Sequence, residues 1–170
     1  MKKKNIHLLT QAAMIAALYV VLTFIANAFG LANYSVQVRF SEALTILPFF
    51  TPAAIPGLFI GCLISNILTG CAIPDIIFGS IATLIGALGT WKLSGSKNVF
   101  PQNIFPAPLP PILANTIIVP FVLRYAYGIR PLWLSFLTVG AGEIISCGIL
   151  GLLLAFTLNK YRSQIFRESF

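Results

Sequence analysis

Hydrophobic and polar positions follow one another along this chain in long blocks, not in the short periods of a water-facing fold. Uncharged runs extend over 8–38, 43–74, 76–91, 98–123 and 144–159, and roughly 20 apolar residues in helical form cross the hydrocarbon of a bilayer. Divided at their turn residues, the runs predict an all-α integral membrane protein of six transmembrane helices, at about 8–29, 42–50, 53–69, 75–91, 112–127 and 131–159. The second helix is short because Pro48, Pro52 and Pro56 punctuate its region, and helices seldom continue through such spacing. Reading 43–69 as one broken crossing is the alternative; it changes parity and places Lys160 outside. Between the fourth and fifth helices, 92–111 carries Gly95, Pro101, Pro106, Pro108, Pro110 and Pro111, the composition of an irregular, polyproline-like connection. No soluble domain or repeat interrupts the pattern, so 1–170 reads as one transmembrane domain.

Composition agrees: 58% of the 170 residues are hydrophobic and 9% charged, against about a quarter charged in soluble domains. The net charge of +7 does not indicate nucleic acid, because the basic residues lie between and beyond the apolar runs and form no basic face. They report orientation instead. Lys2, Lys3, Lys4, Lys92, Lys97, Lys160, Arg162 and Arg167 fall on one side of a six-helix topology, and Arg39, Arg124 and Arg130 on the other. Eight against three places both termini in the cytoplasm. The start Met1-Lys2-Lys3-Lys4, with Ala26-Asn27-Ala28 downstream, imitates a signal peptide. Its apolar stretch exceeds the usual span of about 7 to 15 residues, so it reads as a retained first helix. Cys62, Cys71 and Cys147 are too scattered for a disulfide framework or a metal motif and read as small packing residues.

Four acidic residues exist, and an ionisable group at the centre of a membrane helix costs roughly 2.5 to 3.5 kcal/mol on insertion scales. Each must be paired, wetted or functional. Glu143 lies about 18 Å along the last helix, near the midplane; it is a substrate ligand, a structural partner of Arg39 or a buried hydrogen-bonding acid. Glu42 and Asp75 open helices, where a carboxylate also complements the dipole, and Arg39 stands one turn before Glu42. Asn66 and Asn115 add amides inside apolar runs, either as ligands or as interhelical glue. Arg39, Glu42, Asn66, Asp75, Asn115 and Glu143 together would suit a small heterocycle, since a carboxylate accepts an adjacent N–H and amino group as a fork. Tyr34, Phe40, Tyr125 and Trp133 are aromatics able to stack on such a ring or to anchor at the interface; Trp91 beside Lys92 is an anchor.

Ala12 with Ala16 and Ala13 with Ala17 form two overlapping small-xxx-small pairs, which let another helix approach closely, whether of a partner or of this chain. No Walker A motif is present, His7 has no partner motif, and Ser41, Ser65, Ser80 and Ser146 lack a nearby histidine, which argues against ATP hydrolysis and nucleophilic catalysis in this chain. No cofactor or metal is indicated. A small membrane enzyme using Glu42, Asp75 or Glu143, and a carrier coupled to protons through Glu143, remain the alternatives to a binding subunit.

An ordered set of segments resembles the queuosine-precursor transporter (QueT) family, whose members are substrate-binding S components of energy-coupling factor (ECF) transporters. It comprises 13–23, Gln37-Val38-Arg39-Phe40-Ser41-Glu42-Ala43-Leu44, 55–62 with Asn66, Asp75 with 78–83, Pro110-Pro111 with Asn115, and Val139-Gly140-Ala141-Gly142-Glu143. The resemblance covers nearly the whole chain except about 90–106. It implies a multi-pass protein of the bacterial cytoplasmic membrane, surrounded by lipid, that captures a nutrient from outside. By the same resemblance, partners are a membrane scaffold subunit and two ATP-binding subunits, Ala12, Ala13, Ala16 and Ala17 look like the scaffold-docking motif, and the cargo is a 7-deazaguanine such as preQ1, preQ0 or queuine. An S component for a different vitamin is the nearest alternative.

Overall fold

The computed structural model describes residues 3–31, 38–95 and 104–161, all of whose regular structure is helical. Helix α1 covers Lys3–Ala28, a 3-10 helix Phe40–Phe49, α2 Ala54–Leu68, α3 Ile73–Gly95 and α4 Leu109–Ala126. Helix α5, Leu132–Glu143, passes through a π-helical segment, Ile144–Leu150, into α6, Gly151–Lys160. Lys2, Tyr34, Gln37, Lys97, Pro101, Arg162 and Arg167, which entered the sequence reading, lie outside the described residues.

The expectation of six crossings is corrected. Among the described residues, four helices are long and apolar enough to cross a bilayer: Asn5–Ala28, Ile73–Ser94, Leu109–Ala126 and the continuous Leu132–Lys160. The 15 residues of α2 and the 10 of the 3-10 helix are too few, since 15 residues rise about 22 Å against a hydrocarbon core of about 30 Å. The prolines explain the error. They divide the long uncharged run 43–74 into two short helices, and the first of these is apolar because it is internal: residues from Ser41 to Pro48 are all buried. Hydropathy measures avoidance of water and does not distinguish a protein core from lipid. Only the number of spans changes: an even count of four, like six, is compatible with both termini on one side, and the side itself stays an expectation of the charge pattern.

Around that internal helix the long helices turn apolar side chains outward. Leu9, Met14, Val21, Ile77, Ile85, Ile117, Leu137 and Leu153 are exposed, as expected of surfaces that face lipid. The core beneath them interleaves large apolar side chains with small ones. Tyr19, Leu44, Ala54, Leu58, Cys62 and Ala87 form one buried cluster, and Ile46, Phe50, Ala107 and Ala155 belong to a second.

Two close helix contacts depend on glycine. Helices α1 and α2 run parallel, and a Cβ on Gly57 would lie 2.7 Å from the Ala12 carbonyl oxygen, one on Gly61 2.8 Å from Tyr19 Cβ. Helices α3 and α4 meet where a Cβ on Gly86 would lie 2.6 Å from Pro111 Cα. Pro110 and Pro111 stand in the first turn of α4, where a proline forfeits no intrahelical hydrogen bond, so the helix starts three residues earlier than the pattern predicted. Gly61→Ala is expected to destabilise the protein by about 1–3 kcal/mol through overpacking against α1, visible as a lowered midpoint of thermal unfolding in detergent.

Candidate functional site

The polar residues separate into two groups, one lining a cavity and one buried behind it. The cavity, of about 280 Å³, lies at the end of the bundle where α1, α2 and α4 finish and α3 begins, and Thr23, Arg39, Asn66, Thr69, Asp75 and Tyr127 are among its lining residues.

Each of these side chains is placed by a helix end. Arg39 precedes the 3-10 helix, and its backbone N–H donates to Ser146 Oγ on the π-helical segment at 3.1 Å. Among the described residues its guanidinium forms no ion pair and donates no hydrogen bond, and it lines the cavity. Asp75 sits in the first turn of α3 and is buried, and the Tyr127 hydroxyl donates to its Oδ2 at 3.1 Å. Asn66, near the end of α2, donates weakly to the Asp75 carbonyl oxygen at 3.5 Å. Gly79, one turn into α3, makes room for both side chains: a Cβ there would lie 3.2 Å from Asp75 Oδ1 and 3.3 Å from Asn66 Nδ2.

Behind the cavity, Glu42 is buried within the 3-10 helix. Its Oε1 accepts from the Tyr19 hydroxyl at 2.5 Å and its Oε2 from Asn115 Nδ2 at 3.3 Å. Glu143, the last residue of α5, is also buried, and Cys147 Sγ donates to its Oε2 at 3.1 Å. Glu143 directly precedes the π-helical segment and Cys147 lies within it, a geometry frequent at functional sites. Glu42, Glu143 and Cys147 bring one possible metal-ligating atom each within 4.8 Å of one another. The hydrogen bonds shown for this group come from neutral donors, Tyr19, Asn115 and Cys147. The ion pair weighed for Glu143 with Arg39 is not formed among the described residues.

The structure therefore brings Arg39, Asn66 and Asp75 to the cavity and holds Glu42, Asn115 and Glu143 apart from its lining. Of the aromatics considered for stacking, Tyr125 and Trp133 are exposed and do not line it. Three partners were missed by the sequence reading. Tyr19 is the one polar-tipped aromatic in the apolar face of α1, Cys147 stands one turn after Glu143, and Tyr127 follows the end of α4; the first two carried a readable spacing signal, whereas Tyr127 meets Asp75 only through the fold.

The alanine pairs separate as well. Ala12 and Ala16 are buried where α1 crosses α2, and Ala13 and Ala17 are exposed. Beside them runs an apolar groove of about 540 Å³, lined by Ala12, Ala13, Ala16, Pro52, Ala53, Pro56 and Ile60 among others.

Comparison with known proteins gives the chemistry a context. The family model described as "QueT transporter" matches residues 9–160. The "Queuosine precursor transporter QueT" of Lactococcus lactis subsp. cremoris (strain MG1363) is 36% identical over 85 residues, a stretch that spans 50% of this chain and 50% of that protein. The match thus covers about half the length of that curated relative. No solved structure matches. With a family model matched along most of its length, from α1 to the end of α6, the chain belongs to the QueT transporter family.

Proposed function

We propose that this chain is the substrate-binding S component of an ECF-type ATP-driven importer, and that the cavity at the helix ends holds its cargo, a 7-deazaguanine queuosine precursor such as preQ1, preQ0 or queuine. The observation that carries the reading is the cavity itself, in which a buried carboxylate, an amide and a guanidinium converge in about 280 Å³. That volume lies near the lower limit of ordinary ligand pockets, about 300 Å³, and suits a bicyclic base. Asp75 accepts the adjacent N–H and amino group of a guanine-like edge, and Arg39 donates to its carbonyl oxygen. Asn66 supplies a further amide beside Asp75. The relative's printed name supports the same cargo class.

Glu42, Asn115 and Glu143 act in this reading behind the cavity. They fix the 3-10 helix against α1, α4 and the π-helical segment, and so fix Arg39 at the cavity wall. No residue set for ATP hydrolysis is recognisable in the chain, so the importer requires two ATP-binding subunits and a membrane scaffold. The exposed Ala13 and Ala17, with the apolar groove beside them, offer that scaffold a surface on which a helix packs closely. Ala12 and Ala16 contribute mainly from within, by allowing α2 to approach α1.

The buried carboxylates Glu42 and Glu143 favour a second reading, a proton-coupled carrier. Uptake that survives ATP depletion but collapses with the proton gradient would select it over the first.

Asp75→Asn is expected to weaken binding of a 7-deazaguanine by roughly 1.5–3 kcal/mol, through loss of a charge-assisted acceptor. Calorimetry on the purified, folded variant measures it, and unchanged affinity removes Asp75 from the cargo site. Ala13→Leu is expected to leave cargo affinity unaltered and to reduce cellular uptake by tenfold or more, an order-of-magnitude figure for a blocked helix approach. Full uptake by that variant, with normal membrane levels, would remove α1 from the docking surface.

A further inference from the structure

One side chain joins the two loops at the mouth of the cavity. Tyr127, immediately past α4, reaches to α3, where its hydroxyl donates to Asp75 Oδ2 at 3.1 Å and accepts the Ala72 backbone N–H at 3.0 Å. The first bond holds the acceptor that the cargo needs, and the second ties down the turn from Thr69 to Ala72. Glycines with positive φ flank this clasp, Gly70 at 74° and Gly128 at 69°, a conformation at which other residues are strained. Asp75 is 4% exposed and Tyr127 45%, so the donor lies on the outer side of its acceptor. Burial of the phenol, with the Asp75 carboxylate beside it, pushes its pKa up to about 12, and it remains a donor throughout the physiological range.

We propose that Tyr127 is an affinity-setting latch of the cargo site: without cargo it holds the Asp75 carboxylate and the 69–72 turn together, and a ligand that forks onto both carboxylate oxygens must displace it from Oδ2. This rests on the cargo site proposed above. Displacement costs every such ligand the same free energy, so only one that returns two adjacent N–H donors to the carboxylate gains on exchange. A ligand with a single N–H can take Oδ1 and leave the Tyr127 bond to Oδ2 in place. Tyr127 therefore raises the threshold for binding without touching the bound cargo.

The test compares wild type with Tyr127→Phe, which keeps the ring and removes only the hydroxyl. Two probes are titrated by calorimetry, 7-deazaguanine with two adjacent donors and 7-deazahypoxanthine with one. A latch predicts that the affinity for 7-deazaguanine rises roughly tenfold or more, the size of one hydrogen bond to a charged group, while that for 7-deazahypoxanthine changes little. A fall or no change for 7-deazaguanine, or an equal rise for both probes, overturns the latch. A second measurement needs no ligand: Cys71 lines the same cavity and is half-buried, whereas Cys62 and Cys147 are buried. In cargo-free protein a small methanethiosulfonate reagent is expected to modify Cys71 roughly threefold faster in Tyr127→Phe than in wild type, the lower end of the scale for one neutral hydrogen bond, here that of the Ala72 N–H to the Tyr127 hydroxyl. An equal rate overturns the latch even if neither probe binds, and absence of binding to wild type and variant alike overturns the cargo site instead.

Discussion

A carboxylate held away from water must be satisfied by its neighbours, and Glu42 organises this protein because it is such a group. Its two oxygens take hydrogen bonds from Tyr19 on α1 and Asn115 on α4, and its backbone carbonyl accepts from Thr45 and Cys147. Four parts of the fold thereby meet at one residue of a ten-residue helix. Leaving that charge unpartnered would cost several kcal/mol in a medium of low dielectric, so the arrangement of α1, α4 and the π-helical segment around the 3-10 helix is tightly specified. Arg39 inherits its position from this. It stands three residues before Glu42, and its N–H is tied to Ser146 on the same π-helical segment.

The interior group and the cavity consequently have different duties. Buried polar groups linked by hydrogen bonds rigidify what they connect, and here they connect the wall that carries the guanidinium. The opposite wall, Asn66 and Asp75, is set by the ends of α2 and α3 and by the space that Gly79 leaves. Helix ends are suitable places for recognition, because their loops can move while the helices remain packed. The small residues of α1 show the same economy of position: one alanine stripe serves an internal crossing with α2, and the adjacent stripe, Ala13 and Ala17, remains exposed.

Much of this was legible in the residue pattern. The all-helical membrane class follows from apolar runs too long for a soluble fold, and Arg39, Asn66 and Asp75 were recognisable as site candidates because polar side chains inside such runs are costly. Glu42, Asn115 and Glu143 were recognised on the same ground, but their placement behind the cavity was not. A cost in free energy says that a polar group has a partner and does not say whether that partner is a ligand or another side chain.

The number of crossings shows the limit most clearly. The sequence by itself determined that segment 43–74 avoids water, and its prolines determined that it breaks. Only the tertiary structure decided that the Phe40–Phe49 helix is enclosed by protein, because burial of an apolar helix by other helices and by lipid leaves the same hydropathy. The contact of Tyr127 with Asp75 was likewise decided by the fold alone. Residues 52 positions apart share no local periodicity, and they meet because α3 and α4 pack antiparallel and bring the start of one helix to the end of the other.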